Sequence, residues 1–283
     1  MEQIIEKENY TLSFDDDSLF LNNSEVEYID HMGSDLKVVN AARISFKSLS
    51  QWEDERNRVL SKRDQNLIDF LARGMSSKDY NKYLETIKNT QDYEVIEDCL
   101  KALQAQTHFT PFCHNVVTLH CKVPMFVARQ LIKHQIGMTW NEVSRRYVNT
   151  NIQFYNPKEW RSAPDNKKQG SGNDVVTKIT DDYGDSWYID PDFKTWCMTA
   201  LSMYEDYVNS GIAPEMARMI LPQNMMVEFW WTGSMLAFAR MCNQRLDNHA
   251  QKETQDFARK VDPILHNLYP YSWLSLVPNS QFK

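Results

Sequence analysis

Residues 129–147 read Arg-Gln-Leu-Ile-Lys-His-Gln-Ile-Gly-Met-Thr-Trp-Asn-Glu-Val-Ser-Arg-Arg-Tyr, and this stretch decides how the whole chain is interpreted. Ten of its nineteen side chains can carry a charge or form strong hydrogen bonds, although it follows the apolar run Val123-Pro124-Met125-Phe126-Val127. A buried helix rarely carries so many polar groups, because each of them needs a partner. An anionic, planar, hydrogen-bonding ligand such as a nucleotide would supply those partners.

The spacing of this stretch predicts a helix followed by a polar loop. Pro124 suits the first turn of a helix, and Gly137 suits its end. Between them, Gln130 and His134 are four residues apart and therefore share one face of the helix. Residues 141–146 would then form a polar loop beside the helix end.

That loop contains a candidate cradle for an oxyanion. Ser144 is followed directly by Arg145 and Arg146. The guanidinium group is a rigid fork that matches phosphate or carboxylate through two hydrogen bonds. The alternative is a solvated helix end with ordinary surface charges, and the spacing alone leaves both interpretations open.

Length and composition set the class of protein. The chain has 283 residues, 42% of them hydrophobic, which suits a single globular domain over residues 1–283. A net charge of −7 argues against nonspecific nucleic-acid binding, which needs a basic surface. The odd number of cysteines, five, indicates reduced thiols. With neither a signal peptide nor a membrane-spanning apolar run in the sequence, we expect a cytoplasmic protein.

The elements expected along the chain combine helices and strands. Period-two alternation predicts a strand at 115–122, with Val117, Leu119 and Cys121 facing one way. We expect two irregular segments, an acidic lead-in at about 1–30 and a mobile loop at about 162–174. Further strands are expected at Ile152 and Phe154 and at 226–232. Helices are expected within 52–105 and over 248–268, where Pro263 would kink the helix.

A second polar cluster follows the strand at 226–232. Thr232-Gly233-Ser234 precedes an apolar helical run, so it either exposes amides to a phosphate or simply caps the helix, and capping is the commoner case. Arg245, Asp247, His249 and Gln251 then follow closely around a predicted turn. Such a group indicates a ligand site or a subunit contact.

Other chemistries receive less support from the sequence. His108, His114 and His120 are spaced by six residues, but no cysteine or carboxylate completes a zinc-binding pattern, and we expect no metal. Cys113 would need an electropositive setting to act as a nucleophile, and at the edge of an apolar strand a structural cysteine is favoured. The glycine-rich motifs of dinucleotide-binding and P-loop proteins do not occur.

Five segments of the sequence, in order, resemble the flavin-dependent thymidylate synthase family. Lys133-His134-Gln135 and Asn141-Glu142-Val143-Ser144-Arg145-Arg146-Tyr147 are similar to the family signature Arg-His-Arg-x-x-Ser-x-Asn-Glu-x-Ser-x-Arg-Tyr. The other segments are Asn40-Ala41-Ala42-Arg43-Ile44-Ser45, His108-Phe109-Thr110-Pro111-Phe112-Cys113-His114, Ala217-Arg218-Met219-Ile220-Leu221-Pro222 and Arg245-Leu246-Asp247-Asn248-His249-Ala250-Gln251.

The chain departs from the family pattern at several positions. Lys133 and Gln135 stand where the signature has two arginines, and one residue is inserted before Asn141. Cys113 stands where the family has glutamate. The half of the pattern that binds nucleotide is therefore matched better than the half that binds flavin, folate and reductant.

The resemblance implies an α/β fold with a mixed sheet flanked by helices. It also implies an enzyme that converts dUMP to dTMP, with methylenetetrahydrofolate as carbon donor, FAD as redox cofactor and NADPH as reductant. The family forms homotetramers in which several subunits build each active site. The cofactor carries the redox chemistry, so the protein supplies positioning and electrostatics.

By motif position, the resemblance also implies the residues of the site. Arg245 and Ser144 are the expected catalytic residues, with Arg245 facing the pyrimidine and favouring ionisation at N3. The residues expected to bind dUMP are Gln130, Lys133, Glu142, Ser144, Arg145, Arg146, Arg218 and Arg245. Those expected to contact FAD are Ser45, Thr110, Lys133, His134, Gln135, Glu142 and Ser234, and His108 and His249 are expected to line the same pocket.

Two alternatives and one assembly prediction remain. A related enzyme could leave a hydroxymethyl group on the pyrimidine, or a relative could bind nucleotide without turnover. Apolar residues beside the polar site, Trp230, Trp231 and Met235, predict an exposed patch that serves as a subunit interface, although simple core packing is the alternative.

Overall fold

A computed structural model describes residues 17–104, 107–164 and 170–283. Helices and strands are interspersed along the chain. The helices are α1 (Asp35–Arg43), α2 (Lys62–Arg73), α3 (Ser77–Asn89), α4 (Tyr93–Leu103), α5 (Met125–Leu131), α6 (Ile189–Asn209), α7 (Pro214–Ala217), α8 (Met235–Arg245), α9 (Lys252–Leu268) and α10 (Pro270–Leu276). The strands are β1 (Phe20–Leu21), β2 (Glu25–Met32), β3 (Val116–Pro124), β4 (Met138–Glu142), β5 (Phe154–Tyr155), β6 (Lys178–Thr180), β7 (Ser186–Tyr188) and β8 (Met226–Ser234).

A four-stranded sheet with the order β2-β3-β8-β4 forms the centre of the fold. All its neighbouring strands are antiparallel, whereas the resemblance implied a mixed sheet. Leu119 of β3 lies opposite Trp231 of β8. Val117, Leu119 and Cys121 are buried, whereas the residues between them are half-buried on the other face. The predicted alternation of this strand is confirmed, as are the strand at β8 and the helices between residues 52 and 105.

Helix α9 supplies much of the core. Phe257, Val261 and Leu265 recur every fourth residue and are fully buried, and the ring centroid of Phe257 lies 6.1 Å from that of Trp231 in the sheet. Pro263 lies inside α9, which continues beyond it. The predicted helical face is therefore confirmed.

The predicted apolar patch is wrong for two of its three residues. Trp231 and Met235 are only 1% and 0% exposed, because β8 turns its odd-numbered side chains toward the core and α8 begins against it. Trp230 faces the other side of the sheet and is 54% exposed. Core packing explains the first two residues, and only Trp230 remains available for an interface.

The predicted helix end at Gly137 is also wrong. Helix α5 ends at Leu131, and Gly137 sits with φ 75° in the turn before β4. The carbonyl of Gly137 accepts a hydrogen bond of 3.0 Å from the backbone N–H of Ser234. Long-range pairing with β8 therefore draws residues 138–142 into the sheet, where a polar loop was expected from 141 onward.

Two segments predicted to be irregular are more ordered in part. Residues 25–32 form β2 and pair with β3, so the lead-in predicted for 1–30 is wrong there, and residues 1–16 lie outside the described residues. In the segment 162–174, the N–H of Ser162 donates to the carbonyl of Asp174 at 2.9 Å, which closes its two ends on each other. Residues 165–169 lie outside the described residues, and mobility of this loop stays a prediction.

Within the described ranges, no helix combines the length and apolar character needed to cross a membrane.

Candidate active site

The residues expected to bind phosphate line one small cavity. Its volume is about 350 Å³, and it lies where the end of β4 meets the short 3-10 turn Arg218–Ile220. The chain thus brings together two segments that are more than seventy residues apart in sequence. The lining residues are Met125, Glu142, Val143, Ser144, Arg145, Arg146, Arg218 and Met225.

Ser144 organises the turn that forms this cavity. Its hydroxyl oxygen accepts from the backbone N–H of Arg146 at 3.3 Å, and its carbonyl accepts from the N–H of Tyr147 at 3.0 Å. This local capping of the chain by a serine side chain is the reason the turn follows β4 directly. The turn leaves the Arg146 side chain exposed, with its guanidinium 3.0 Å from the Tyr147 hydroxyl and over the Tyr147 ring.

Arg145 and Arg146 make different contacts. Nη1 of Arg145 donates to the carbonyl of Thr150 at 2.8 Å, which ties down the chain after the turn. Burial lowers the pKa of Arg145, while the neighbouring Tyr204 and Glu228 raise it. Arg145 therefore has a structural partner within the chain, and its predicted contact with the nucleotide stays a prediction.

Arg218 and Glu142 are the other charged residues that line this cavity. Arg218 is exposed and its Nε donates to the carbonyl of Glu215 at 3.3 Å. The Glu142 carboxylate accepts from Nε1 of Trp140 at 3.1 Å. Guanidinium groups that outnumber the single carboxylate suit a phosphate, and the carboxylate suits a donor such as a sugar hydroxyl.

Arg245 lies in a second cavity, of about 650 Å³. Its Nε donates to Nε2 of His134 at 3.1 Å and its Nη2 donates to the backbone carbonyl of Gln130 at 3.0 Å. Burial, and secondly the charge of Arg245, lowers the pKa of His134 to about 4. The imidazole is therefore neutral near pH 7 and can accept the hydrogen bond that fixes the guanidinium.

The turn between α8 and α9 forms another wall of this cavity. The Asp247 carboxylate accepts from both the backbone N–H and Nδ1 of His249 at 2.8 Å, and these bonds lower the pKa of Asp247. His249 and Gln130 both line the cavity with Arg245, and their roles toward a ligand stay predictions.

A series of polar contacts that ends at the buried Glu253 was not predicted from the sequence. It links Gln130 to Gln251, Gln251 to Glu253, and Glu253 to Arg161. One signal was available, because Glu253 is four residues before Phe257 on the apolar face of α9. A charged residue on a buried face needs a partner, and Arg161 is that partner.

The residues expected to contact flavin occupy several separate elements. Lys133 and Gln135 are exposed in the turn after α5, and Thr110 is exposed at the start of the 3-10 helix Thr110–His114. Ser45 is exposed in the short turn after α1. Ser234 caps α8 by accepting from the N–H of Ala237 at 3.2 Å, which is the capping role that was favoured for it.

Three further predictions can be compared with the structure. His108 stacks on Phe70 with ring centroids 5.4 Å apart, while His120 lies at the sheet with Nε2 2.8 Å from Glu228. In the part of the chain that the structure describes, no three His, Cys, Asp or Glu residues form a metal-binding group. Cys113 is exposed in the 3-10 helix that precedes β3, so the structural cysteine favoured at this position does not pack in the core.

Comparison with known proteins identifies a family that matches most of this chain. Residues 27–271 match the family described as thymidylate synthase complementing protein. The flavin-dependent thymidylate synthase of Thermotoga neapolitana is 28% identical over 257 residues, which cover 91% of this chain and 92% of that protein. The enzyme of the same name from Thermosipho melanesiensis is 29% identical over 260 residues, with 91% and 92% covered.

A solved structure shows the same fold. The crystal structure of a UMP/dUMP methylase, PolB from Streptomyces cacaoi bound with 5-Br dUMP, superposes with a TM-score of 0.63 at 23% identity. The match covers 90% of this chain and 95% of that one. The predicted α/β class is confirmed, and so is the prediction of an enzyme. Because the family match begins in β2, ends in α10 and spans both cavities, this chain belongs to the thymidylate synthase complementing protein family.

Proposed function

We propose that this protein is a flavin-dependent thymidylate synthase that methylates dUMP to dTMP. In this proposal FAD is the cofactor, methylenetetrahydrofolate donates the carbon unit and NADPH is the reductant. The observation that carries the proposal is a pair of cavities, one lined by Ser144, Arg146 and Arg218 and the other containing Arg245. A nucleoside monophosphate has a phosphate and a base to match them.

The first cavity would hold the phosphate and sugar. Arg146 and Arg218 are exposed and bring charged donors to the same small space, so they can bind phosphate without leaving a buried charge unpaired. Ser144 presents its hydroxyl beside them and holds the turn in shape. Glu142 would accept a hydrogen bond from the sugar.

The second cavity would hold the pyrimidine. The Arg245 guanidinium is held by neutral His134 and by the Gln130 carbonyl, so its remaining N–H groups are fixed in direction before the base arrives. A fixed cation beside the pyrimidine stabilises negative charge that develops on N3 and the carbonyl oxygens. That charge makes C5 more nucleophilic, which is what carbon transfer to C5 requires.

The residues assigned to the flavin have the chemistry that FAD needs. Hydroxyls at Ser45, Thr110 and Ser234 can donate to phosphates and carbonyls, and capping uses only the acceptor side of Ser234. The ammonium of Lys133 and the amide of Gln135 add exposed donors next to His134. When bound, FAD would supply the redox chemistry, while these residues bind and orient it.

The placement of these residues supports a proposal about assembly. Ser45, Thr110 and Lys133 are exposed on different elements, so a complete flavin site would draw them from more than one copy of the chain. We therefore propose a homotetramer that works in the cytoplasm as a single-domain protein. Light scattering at micromolar concentration should give a tetrameric mass, and a monomeric mass would contradict the shared site.

The visible absorption spectrum of the freshly purified protein tests the cofactor. We expect flavin bands that bleach when NADPH is added and that shift when dUMP is added. The apoprotein should regain these bands when FAD is restored. A colourless protein with no measurable affinity for FAD would contradict the proposed function.

A further inference from the structure

A chain of hydrogen bonds runs from a buried carboxylate to the cavity of Arg245. Nε2 of Gln251 donates to Oε2 of Glu253 at 2.9 Å, and Nε2 of Gln130 donates to Oε1 of Gln251 at 2.6 Å. At the end of the chain, Oγ1 of Thr254 donates to Oε1 of Gln130 at 3.2 Å. Thr254 is fully buried and Glu253 is 7% exposed.

The charge on Glu253 sets the donor-to-acceptor direction of this series of hydrogen bonds. A carboxylate only accepts hydrogen bonds, so Gln251 must turn its NH₂ group toward Glu253. The carbonyl oxygen of Gln251 then faces Gln130, so Gln130 must donate to it from its own NH₂ group. Each amide is thus fixed in one of its two orientations by the neighbour before it.

The position of the cavity decides which edge of Gln130 a ligand meets. Gln130 and Gln251 both line the cavity of Arg245, whereas Thr254 is buried away from it. The end of the Gln130 amide next to Gln251 is therefore the end nearer the cavity. That end carries Nε2, which uses one N–H for Gln251 and keeps the second for a ligand.

We propose that Glu253 is a positioning residue that makes Gln130 a hydrogen-bond donor toward the base and so selects uracil over cytosine. Uracil has a carbonyl acceptor at C4 where cytosine has an amino donor. A donor at Gln130 matches the first and opposes the second. The inference rests on the proposed function, since it places the pyrimidine beside Arg245.

A second charged residue allows the role of Glu253 to be tested. Nη2 of Arg161 donates to Oε1 of Glu253 at 2.6 Å, with the two side chains 21% and 7% exposed. A guanidinium only donates. In Glu253→Gln, the single amide oxygen would therefore be held by Arg161, and the new NH₂ group would face Gln251. Gln251 and Gln130 would both turn over, and Gln130 would present its carbonyl to the base.

The experiment compares two variants that lose the same ion pair. Glu253→Gln reverses the chain of amides, whereas Arg161→Gln leaves the carboxylate and the direction intact. Dissociation constants for dUMP and dCMP would be measured by titration calorimetry on the FAD-loaded protein. We expect the wild type and Arg161→Gln to prefer dUMP equally, and Glu253→Gln to lose that preference by about tenfold or more, which corresponds to about 1.4 kcal/mol.

Each outcome has a definite meaning. A dUMP-to-dCMP ratio that stays unchanged in Glu253→Gln, or that falls equally in both variants, would overturn the inference while leaving the proposed function standing. A wild-type protein that binds neither nucleotide would instead refute the proposed function. If Glu253→Gln does not fold, Gln251→Leu tests the same link, because it frees Gln130 without touching the ion pair. It should also lose the preference for dUMP, and an unchanged ratio would overturn the inference.

Discussion

Replacing Arg146 by alanine should mainly weaken dUMP binding, whereas replacing its neighbour Arg145 should mainly lower the free energy of unfolding. The Arg146 side chain is exposed, and its partner in the chain is the neighbouring Tyr147. Arg146→Ala therefore leaves no buried group without a partner, and its unfolding free energy should stay within about 0.5 kcal/mol of the wild type.

The loss of dUMP affinity in Arg146→Ala can be worked from the same contacts. A hydrogen bond from a charged group contributes about 1.5–3 kcal/mol, and giving up the bond to Tyr147 costs about 1 kcal/mol in the free protein. The net loss should be about 0.5–2 kcal/mol, or roughly twofold to thirtyfold in dissociation constant.

Arg145→Ala should behave as a structural change. It removes the 2.8 Å bond to the carbonyl of Thr150 from a half-buried side chain. We expect the unfolding free energy to fall by about 1–3 kcal/mol. Titration calorimetry with dUMP and urea unfolding without ligand measure the two effects separately. Unchanged dUMP affinity in Arg146→Ala, or equal loss of stability in both variants, would contradict the roles assigned to these two arginines.

Three further predictions address the pH dependence, the cofactor and the core. Since the pKa of His134 is about 4 in the folded protein against an ordinary 6.5, its stabilising contribution should be present above pH 6.5 and lost as pH falls toward 4, and His134→Asn should flatten that part of the urea-unfolding profile. Gln135→Arg adds a charged fork at the proposed flavin site, so it should change FAD affinity or the rate of flavin reduction by NADPH, while dUMP affinity stays within about threefold. Phe257→Ala should cost about 3–5 kcal/mol in denaturant unfolding because the ring is fully buried, whereas Phe46→Ala, 81% exposed in the wild type, should stay within about 0.5 kcal/mol.

Elements with a clear period were predictable from the sequence. Apolar residues alternate around Leu119, and Phe257, Val261 and Leu265 recur every fourth residue. Each pattern indicates that one face of the element is buried, and this burial stabilises the strand or helix. The strand β4 was missed because its residues are mostly polar and it forms through pairing with β8, a partner nearly a hundred residues away. Gly137 was predicted to end a helix because glycine is common at that position. Its positive φ instead belongs to the turn that leads into β4, and the sequence around it does not reveal this strand.

The candidate site was predictable only where motif residues form it. The resemblance named Ser144, Arg146 and Arg218, and the structure brings them to one cavity. Spacing alone could not show that Arg145 holds Thr150, because local sequence does not reveal which arginine turns inward. The pairing of Glu253 with Arg161 was hidden too, since it joins residues 92 positions apart.

The product formed from dUMP is the most direct test of whether this protein methylates the pyrimidine. The purified protein, loaded with FAD, would be incubated with dUMP, methylenetetrahydrofolate and NADPH, and the nucleotide would be analysed by mass spectrometry. A reaction lacking the protein and a reaction with Arg245→Ala serve as controls. We expect dTMP, carrying a methyl group, from the wild type alone. A hydroxymethylated nucleotide would contradict the proposed reaction, and so would dUMP that remains unchanged.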